Sequence, residues 1–539
     1  MEIKILAVDD EKFNLLLLQE ALKGDGMVID TCNSANKAIE LIKENDYDVA
    51  LLDVIMPGID GFELRKLIRE HEAKLPIIYL TAIVDTIDNN LIEKISEDKF
   101  TYYMKKPFVR DDLVKQIQAA VGSRRSEEEA YQYYSDLERD LNLATEVQRL
   151  LIPDWLLLEE DIMVSSIYEP AVKVSGDIFD VVKLDSGKYF FFIGDIAGHG
   201  IQAALYMSAV HSLVKMIIGP GIQEMATHEI LNRLNWIFCT ELGQDNYMTC
   251  IVALFDFSNN QLEFFSAGHP SLFEYNNESS EITVLNPKNK GGIPVGWDRN
   301  YEYQQDDAVE FKFKDDSIFF AATDGCFEIA NQNGDMLGID KMLQLFEGVA
   351  ASQEAAVLPY RVREALPQMG YDVADDDICI ISLKKVQRQF DGKERFVQRI
   401  SPMIDEANRL CMECEAFVTK ITGDVEMAVK VELLLGEFLN NIIIHGLDNR
   451  QQARPGILLD VIIDDEEIKV TVLDKGKRWS FSTKPTAISE DLWDSNEKFA
   501  TSGRGMSIIR SIASNISRNR YGELNETTFT IKRQQEESK

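Results

Sequence analysis

Three aspartates near the start of the chain have the types and spacing of a cation-binding cleft. Asp9 and Asp10 follow the apolar run 3–8, and Asp53 lies near the end of the run 49–54. Thr81 ends the run 77–80, and Lys106 follows the run 102–104 with Pro107 and Phe108 behind it. Carboxylates converging in one cleft repel one another, so the set makes sense around a hard cation such as Mg2+. Singly, each aspartate is an ordinary helix cap.

A second acidic group is spread over the middle of the chain: Asp177 and Asp180 in VSGDIFD, Asp195 in GDIAGHG, Asp324 in ATDG, and Asp375, Asp376 and Asp377 in DDDIC. Two divalent ions a few ångströms apart need shared carboxylates. They can activate a bridging water while holding phosphate oxygens, with no serine or cysteine nucleophile. Gly176, Gly194 and Gly325 beside these aspartates permit close backbone approach, although any one Asp-Gly pair is a turn signal.

A third group lies in LLLGEFLNNIIIHG, where Glu437, Asn441 and His445 are four residues apart and share one helical face. Asn441 offers a neutral oxygen to an Mg2+ whose other partners are nucleotide phosphates, and Glu437 can polarise an attacking group. Asp474 follows the apolar run 468–473, where its carboxylate can accept an adenine amino group. Gly503 and Gly505 in SGRGMSII open a helix whose N-terminus suits phosphate.

Four kinds of segment must position these residues, and the expected architecture is multidomain α/β. Residues 1–122 alternate apolar runs with amphipathic helices such as 13–22, the pattern of a doubly wound parallel sheet whose ligands bind at the carboxyl ends of strands. In 123–153 a polar start, 123–129, precedes a stripe of Ala130, Tyr134, Leu137, Leu141, Ala144, Gln148 and Leu151 at spacings of four and three. A linker helix with heptad spacing is expected to pair, as in a homodimer, or to pack on its own neighbouring domain, and Pro153 ends it. Residues 154–386 are rich in aromatic and β-branched strands with helices near 203–216 and 228–242, which predicts an α/β sandwich. Residues 395–539 hold the third group.

The first set, together with Lys106-Pro107-Phe108, resembles the receiver domains of response regulators, which have a flavodoxin-like sheet. The resemblance implies that Asp53 is phosphorylated from a sensor histidine kinase, that Asp9, Asp10 and Asp53 hold Mg2+, that Lys106 pairs with the developing charge, and that Thr81 binds the phosphoryl group. Tyr103 matches that family's aromatic switch position and is equally well explained by packing. The stretch LNLATEVQRLLIP resembles the segment preceding the catalytic domain of phosphatases that regulate stress and sporulation sigma factors.

The second set, with AALYM at 203–207, AGHP at 267–270 and GIPVGW at 292–297, resembles PPM-type protein serine/threonine phosphatases of the sporulation and stress-response branch. The resemblance implies two Mn2+ or Mg2+ ions, with Asp195 bridging both, Asp177 completing one site, and Asp324 and Asp376 the other. Asp180, Asp375 and Asp377 are left open by the acidic runs around them. The third set resembles the GHKL (Bergerat-fold) ATPases, specifically the anti-sigma-factor serine kinases. It implies ATP with Mg2+ bound by Asn441, Asp474, Gly476, Gly503 and Gly505, with Glu437 as the catalytic residue. Arg478 stands where that family's second motif glycine is expected. A histidine kinase would need a phospho-accepting histidine on a preceding helix, and no histidine lies between His269 and His445.

The combination implies partner switching: a phosphatase acting on a phosphorylated anti-sigma-factor antagonist, and a kinase-like domain that rephosphorylates it or binds a regulator such as a sigma factor. The alternative is a C-terminal domain that is only a binding module, which Arg478 favours. A non-enzymatic scaffold is opposed by the aspartate set.

With 56 Lys and Arg against 91 Asp and Glu, the net charge of -35 disfavours direct contact with nucleic acid or anionic membranes. The first residues lack the layout of a secretory signal. The uncharged stretch 196–214 carries His199, Gln202, Ser208, His211 and Ser212 and reads as a buried helix. Seven cysteines fit a reducing cytoplasm, and Cys411 and Cys414 read as core packing rather than a metal or redox pair.

Overall fold

The computed structural model describes residues 2–24, 26–81, 98–198, 200–220, 224–242, 246–286, 290–350, 355–390, 392–447, 454–477 and 504–533. The chain divides into two compact units, Met1–Asp140 and Leu141–Lys539.

In the first unit the strands Ile3–Val8, Met27–Cys32, Val49–Asp53, Ile77–Thr81 and Thr101–Lys105 form one parallel sheet in the order second, first, third, fourth, fifth. Helices Lys12–Ala21, Ala35–Glu44 and Gly61–His71 connect them. Both faces are apolar and covered: Leu6, Val8, Ala50 and Leu52 pack into one core, and Ile5, Ala7, Val49 and Leu51 into another. Near-continuous apolar strands are what a doubly covered parallel sheet requires. The chain winds in opposite directions from the first and third strands, so a crevice opens at their adjoining carboxyl ends.

One helix runs unbroken from Arg110 to Leu151, 42 residues, about 63 Å at 1.5 Å per residue. The polar stretch 123–129 is not a break. Four of its five charges are paired: Arg124 with Glu128 at 2.8 Å, Arg125 with Asp48 at 3.1 Å, and Glu127 with Lys74 at 3.4 Å and with Lys99.

In the second unit two antiparallel sheets lie face to face. One has five strands in the order Val309–Lys312, Gln261–Ala267, Met248–Asp256, Tyr189–Ile196, Asp177–Lys183. The other has six, Glu281–Val284, Phe273–Asn276, Ile318–Ala322, Ile378–Lys385, Ile162–Glu169, Leu156–Leu158. Phe191, Phe255 and Phe319 meet between them, edge to face at 5.0–6.3 Å. Helix Ile201–Ile218 is long and apolar enough to cross a membrane by composition. Its Ala203, Ala204, Met207, Val210, Val214 and Ile217 are buried, with the last four of these in the sandwich core.

A further antiparallel sheet, in the order Gln389–Phe390, Lys393–Ile400, Ile457–Ile463, Glu467–Asp474, Leu524–Lys532, Asn515–Tyr521, carries helices Ile404–Thr422, Val425–Asn441 and Arg504–Ile512. Cys411 and Cys414 are buried in that core as free thiols. This sheet joins the sandwich through one apolar cluster in which Trp155, Met163, Ile167 and Tyr360 meet Leu458, Leu473 and Leu524.

Candidate functional site

The sandwich brings four aspartates to one end. Asp177 begins its strand and Asp195 nearly ends the next, and the two are cross-strand partners. On the facing sheet Ala322 pairs with Ile380, so Asp324, two residues beyond one strand, lies near Asp376, two residues before the other. Asp324 turns into a short helix, with its carboxylate accepting from Gly325 N at 3.0 Å. A side chain at Gly325 would meet Asp377 O at 2.1 Å, so the two strand ends close only around glycine.

The electrostatics follow from crowding. Burial, and then the charges of Asp324, Asp376 and Asp377, push the Asp195 carboxyl up to about 8. Burial and Asp195 hold Asp177 well above the carboxylate range, and burial and Asp376 raise Asp324. A group of carboxylates that raise one another in this way is completed by divalent cations, so the donor set fits the two ions the chemistry calls for. When bound, those ions supply a bridging water and a hold on phosphate oxygens. Among the described residues only Asp9, Asp10 and Asp53 form a group of three whose ligand atoms all lie within 4.8 Å of one another. A two-ion centre spreads its ligands around both ions and does not need that mutual proximity.

Three residues to which the sequence assigned no part in this site hold its geometry. The Asp377 carboxylate accepts from Ala171 N at 2.8 Å and Gly176 N at 2.9 Å, fixing the loop that leads into Asp177. Thr323 donates its hydroxyl to Asp177 Oδ2 at 2.9 Å and accepts from Cys379 N at 3.1 Å, bridging the sheets. Gln148, at the end of the long helix, pairs its amide with Ser175 O at 2.9 Å and Ser175 N at 3.2 Å. Asp180 lies elsewhere: it is buried against Lys215 at 2.6 Å and His211 at 3.3 Å on helix Ile201–Ile218. Asp375 and Asp376 are exposed, and His199 lies outside the described residues.

In the first unit Lys106 Nζ lies 2.6 Å from Asp53 Oδ1 and 2.8 Å from Asp9 Oδ2. Burial raises the Asp53 carboxyl, against the pull of Lys106. Thr81 is buried beside this crevice, and its carbonyl accepts from Lys106 N at 2.7 Å. Tyr103 is 61% exposed, so strand packing does not account for it.

In the third group Asp474 is buried at its strand end. Its Oδ1 accepts from Gly476 N at 2.7 Å and from Asn525 Nδ2 at 3.0 Å, and burial raises its carboxyl. Glu437 and Asn441 face the start of helix Arg504–Ile512, where a side chain at Gly505 would meet Glu437 Oε2 at 2.4 Å. The expected face with His445 is broken. After Asn441 the helix widens into a π-turn, with Leu447 N bonding back to Ile442 O at 2.8 Å, and His445 stands exposed outside the α-helical register. Gly503 and Arg478 lie outside the described residues.

Fold and site together define a signalling protein with three domains: a receiver, a PPM-type protein serine phosphatase, and a GHKL-like ATPase domain. Family models agree: the response regulator receiver domain matches residues 5–118, the stage II sporulation protein E family 185–386, and the histidine kinase-like ATPase domain 400–531. The chain is 26% identical over 250 residues to the phosphoserine phosphatase RsbU of Bacillus subtilis, covering 46% of this chain and 71% of RsbU. It is 24% identical over 198 residues to the phosphoserine phosphatase RsbP of the same organism, covering 36% of this chain and 47% of RsbP. It is 34% identical over 120 residues to the transcriptional regulatory protein TcrA of Mycobacterium tuberculosis, covering 22% of this chain and 45% of TcrA. The chain thus spans less than half the length of RsbP and of TcrA. Among solved structures, the RsbU and RsbW domains of Rv1364c from Mycobacterium tuberculosis align at 16% identity and a TM-score of 0.39, covering 71% of this chain and 95% of that one.

Proposed function

We propose that phosphorylation of Asp53 by a sensor histidine kinase sets the activity of the phosphatase domain toward a phosphorylated anti-sigma-factor antagonist in the cytoplasm. Asp9, Asp10 and Asp53 hold Mg2+ in the receiver. Asp195 bridges two Mn2+ or Mg2+ ions completed by Asp177, Asp324 and Asp376. The observation that carries the reading is the unbroken helix Arg110–Leu151, which starts five residues after the last receiver strand and ends with Gln148 clasping Ser175, two residues before Asp177. A phosphoryl group that biases the receiver surface can therefore act through that helix on the loop that positions a metal ligand. Exposure of Tyr131 and Tyr134 on the helix favours pairing of two copies along it.

The C-terminal domain then opposes the phosphatase, using ATP and Mg2+ held by Asn441, Asp474, Gly476, Gly503 and Gly505, with Glu437 polarising the attacking hydroxyl, to rephosphorylate the same partner. Arg478 favours a second reading, in which this domain only binds the antagonist or a sigma factor.

The test uses full-length protein, Mn2+ and the phosphoserine form of a candidate antagonist, with and without acetyl phosphate. Turnover is expected to change about 5-fold or more in wild type, the lower end of an allosteric coupling, and to stay constant in Asp53→Asn. Identical responses in the two proteins overturn the assignment of control to Asp53.

A further inference from the structure

The junction between the phosphatase and the C-terminal domain is built on two residues, Asp154 and Trp155, that directly follow the long helix and Pro153. Asp154 accepts from Gly456 N at 2.7 Å and pairs with Arg399, while Trp155 Nε1 donates to Gly456 O at 3.0 Å. From the same loop Arg454 donates to Arg149 O and Ile152 O, both at 2.7 Å, capping the carbonyl end of the helix. A side chain of the C-terminal domain thus completes the element that clasps the phosphatase metal loop one turn earlier, at Gln148 and Ser175.

The other end of the junction lies inside the nucleotide motif. Lys475, between Asp474 and Gly476, holds its ammonium 5.0 Å from the ring of Tyr360 and 6.0 Å from that of Trp155, with Glu523 as its carboxylate partner. Tyr360 belongs to the phosphatase and donates its hydroxyl to Ser166 O. The turn bearing Lys475 is fixed by the Asp474 carboxylate, which accepts from Gly476 N and Asn525. An adenine amino group donating to that carboxylate acts on the same turn. The contacts are continuous, running from Asp474 through Lys475, Trp155 and Asp154 to the helix end, Gln148 and the loop before Asp177.

We propose that nucleotide bound to the C-terminal domain regulates the phosphatase within the same chain, through the junction of Lys475, Trp155, Asp154 and Arg454. The proposal rests on the ATP-site reading above. By thermodynamic reciprocity, ions at the phosphatase centre alter nucleotide affinity by the factor by which nucleotide alters ion affinity.

The experiment takes full-length protein with excess Mn2+ and follows para-nitrophenyl phosphate hydrolysis with and without the non-hydrolysable analogue adenylyl imidodiphosphate. Binding of the analogue is measured separately by calorimetry. Wild type is expected to change its Mn2+ activation constant or its turnover about 5-fold or more, within the range of allosteric couplings. Arg454→Ala and Trp155→Phe, which lose the helix cap and the indole hydrogen bond but leave both sites intact, are expected to bind the analogue and respond less than about 2-fold; they also control for chelation of metal by the analogue. Binding without a change in wild-type activity overturns the coupling and leaves the ATP site standing. Absence of binding overturns the ATP-site reading and the coupling with it. A full response in both variants overturns the route through the junction.

Discussion

Replacing Asp377 by Asn tests whether this carboxylate acts through the loop that carries Asp177. The carboxylate accepts from Ala171 N and Gly176 N, one on each oxygen. An asparagine can accept one of these bonds and turns its amide donor toward the other, leaving a buried N–H unpaired. A hydrogen bond to a charged group contributes about 1.5–3 kcal/mol, and a stranded buried donor costs about 1–3 kcal/mol. Taking about 2 kcal/mol as the loss that falls on the loop, the equilibrium constant for holding Asp177 in place falls by a factor of about 30 at 1.4 kcal/mol per decade. Loss of the charge that now raises Asp195 and Asp177 also weakens attraction for a cation, so both effects have the same sign. In a Mn2+ titration of phosphatase activity, the half-activating concentration is expected to rise by more than about 2-fold and up to about 30-fold, the upper bound set by the same conversion, with much of the turnover regained at saturation. A folded variant, judged by its circular dichroism, whose Mn2+ dependence stays within about 2-fold of wild type refutes the reasoning, because it means the loop holds Asp177 without Asp377.

Thr323→Val keeps the volume but removes the hydroxyl that joins Asp177 Oδ2 to Cys379 N; a loss of about 1–3 kcal/mol is expected in urea unfolding, with a parallel loss of Mn2+ affinity. Unchanged stability would show that water replaces the hydroxyl. Asp195→Asn is expected to abolish most turnover of a phosphoserine protein with the fold retained, and excess chelator to do the same in wild type; full activity in either case sinks the two-metal assignment. Asn441→Ala is expected to weaken Mg2+-ATP binding, and Gly505→Ala to do so by pushing the Glu437 carboxylate aside; calorimetry showing wild-type affinity in both variants argues against that pocket. Leu141→Asp, on the helix stripe, is expected to remove the phosphatase response to acetyl phosphate, and a preserved response excludes the stripe from the relay.

The sheets were legible because strand patterning and strand-end residues are local. Apolar runs gave the parallel receiver sheet, and aspartates beside Asp-Gly turns marked the mouth of the sandwich. What escaped notice depends on distant partners: Thr323 and Asp177 are 146 residues apart, Asp377 and Gly176 are 201 apart, and Trp155 and Gly456 are 301 apart. Such pairs exist only once both sheets are in register, and no periodicity encodes them. The heptad stripe included Gln148 as one more helical position, and its buried amide bonds to Ser175 could not be read from spacing. His445 misled for the opposite reason. The four-residue rhythm held in the sequence, but a π-turn reset the phase of the backbone beneath it.

The continuity of helix Arg110–Leu151 also makes its length a property that can be varied. In an α-helix each residue added turns everything beyond it by about 100° and advances it by about 1.5 Å. A signal carried along this helix to the Gln148 clasp is therefore sensitive to the number of residues it passes through. Adding a single residue near 135 should weaken that signal, while adding seven, which returns the helical phase to within about 20°, should restore it. A series of such insertions, assayed for activity, would show a response that rises and falls with the helical repeat.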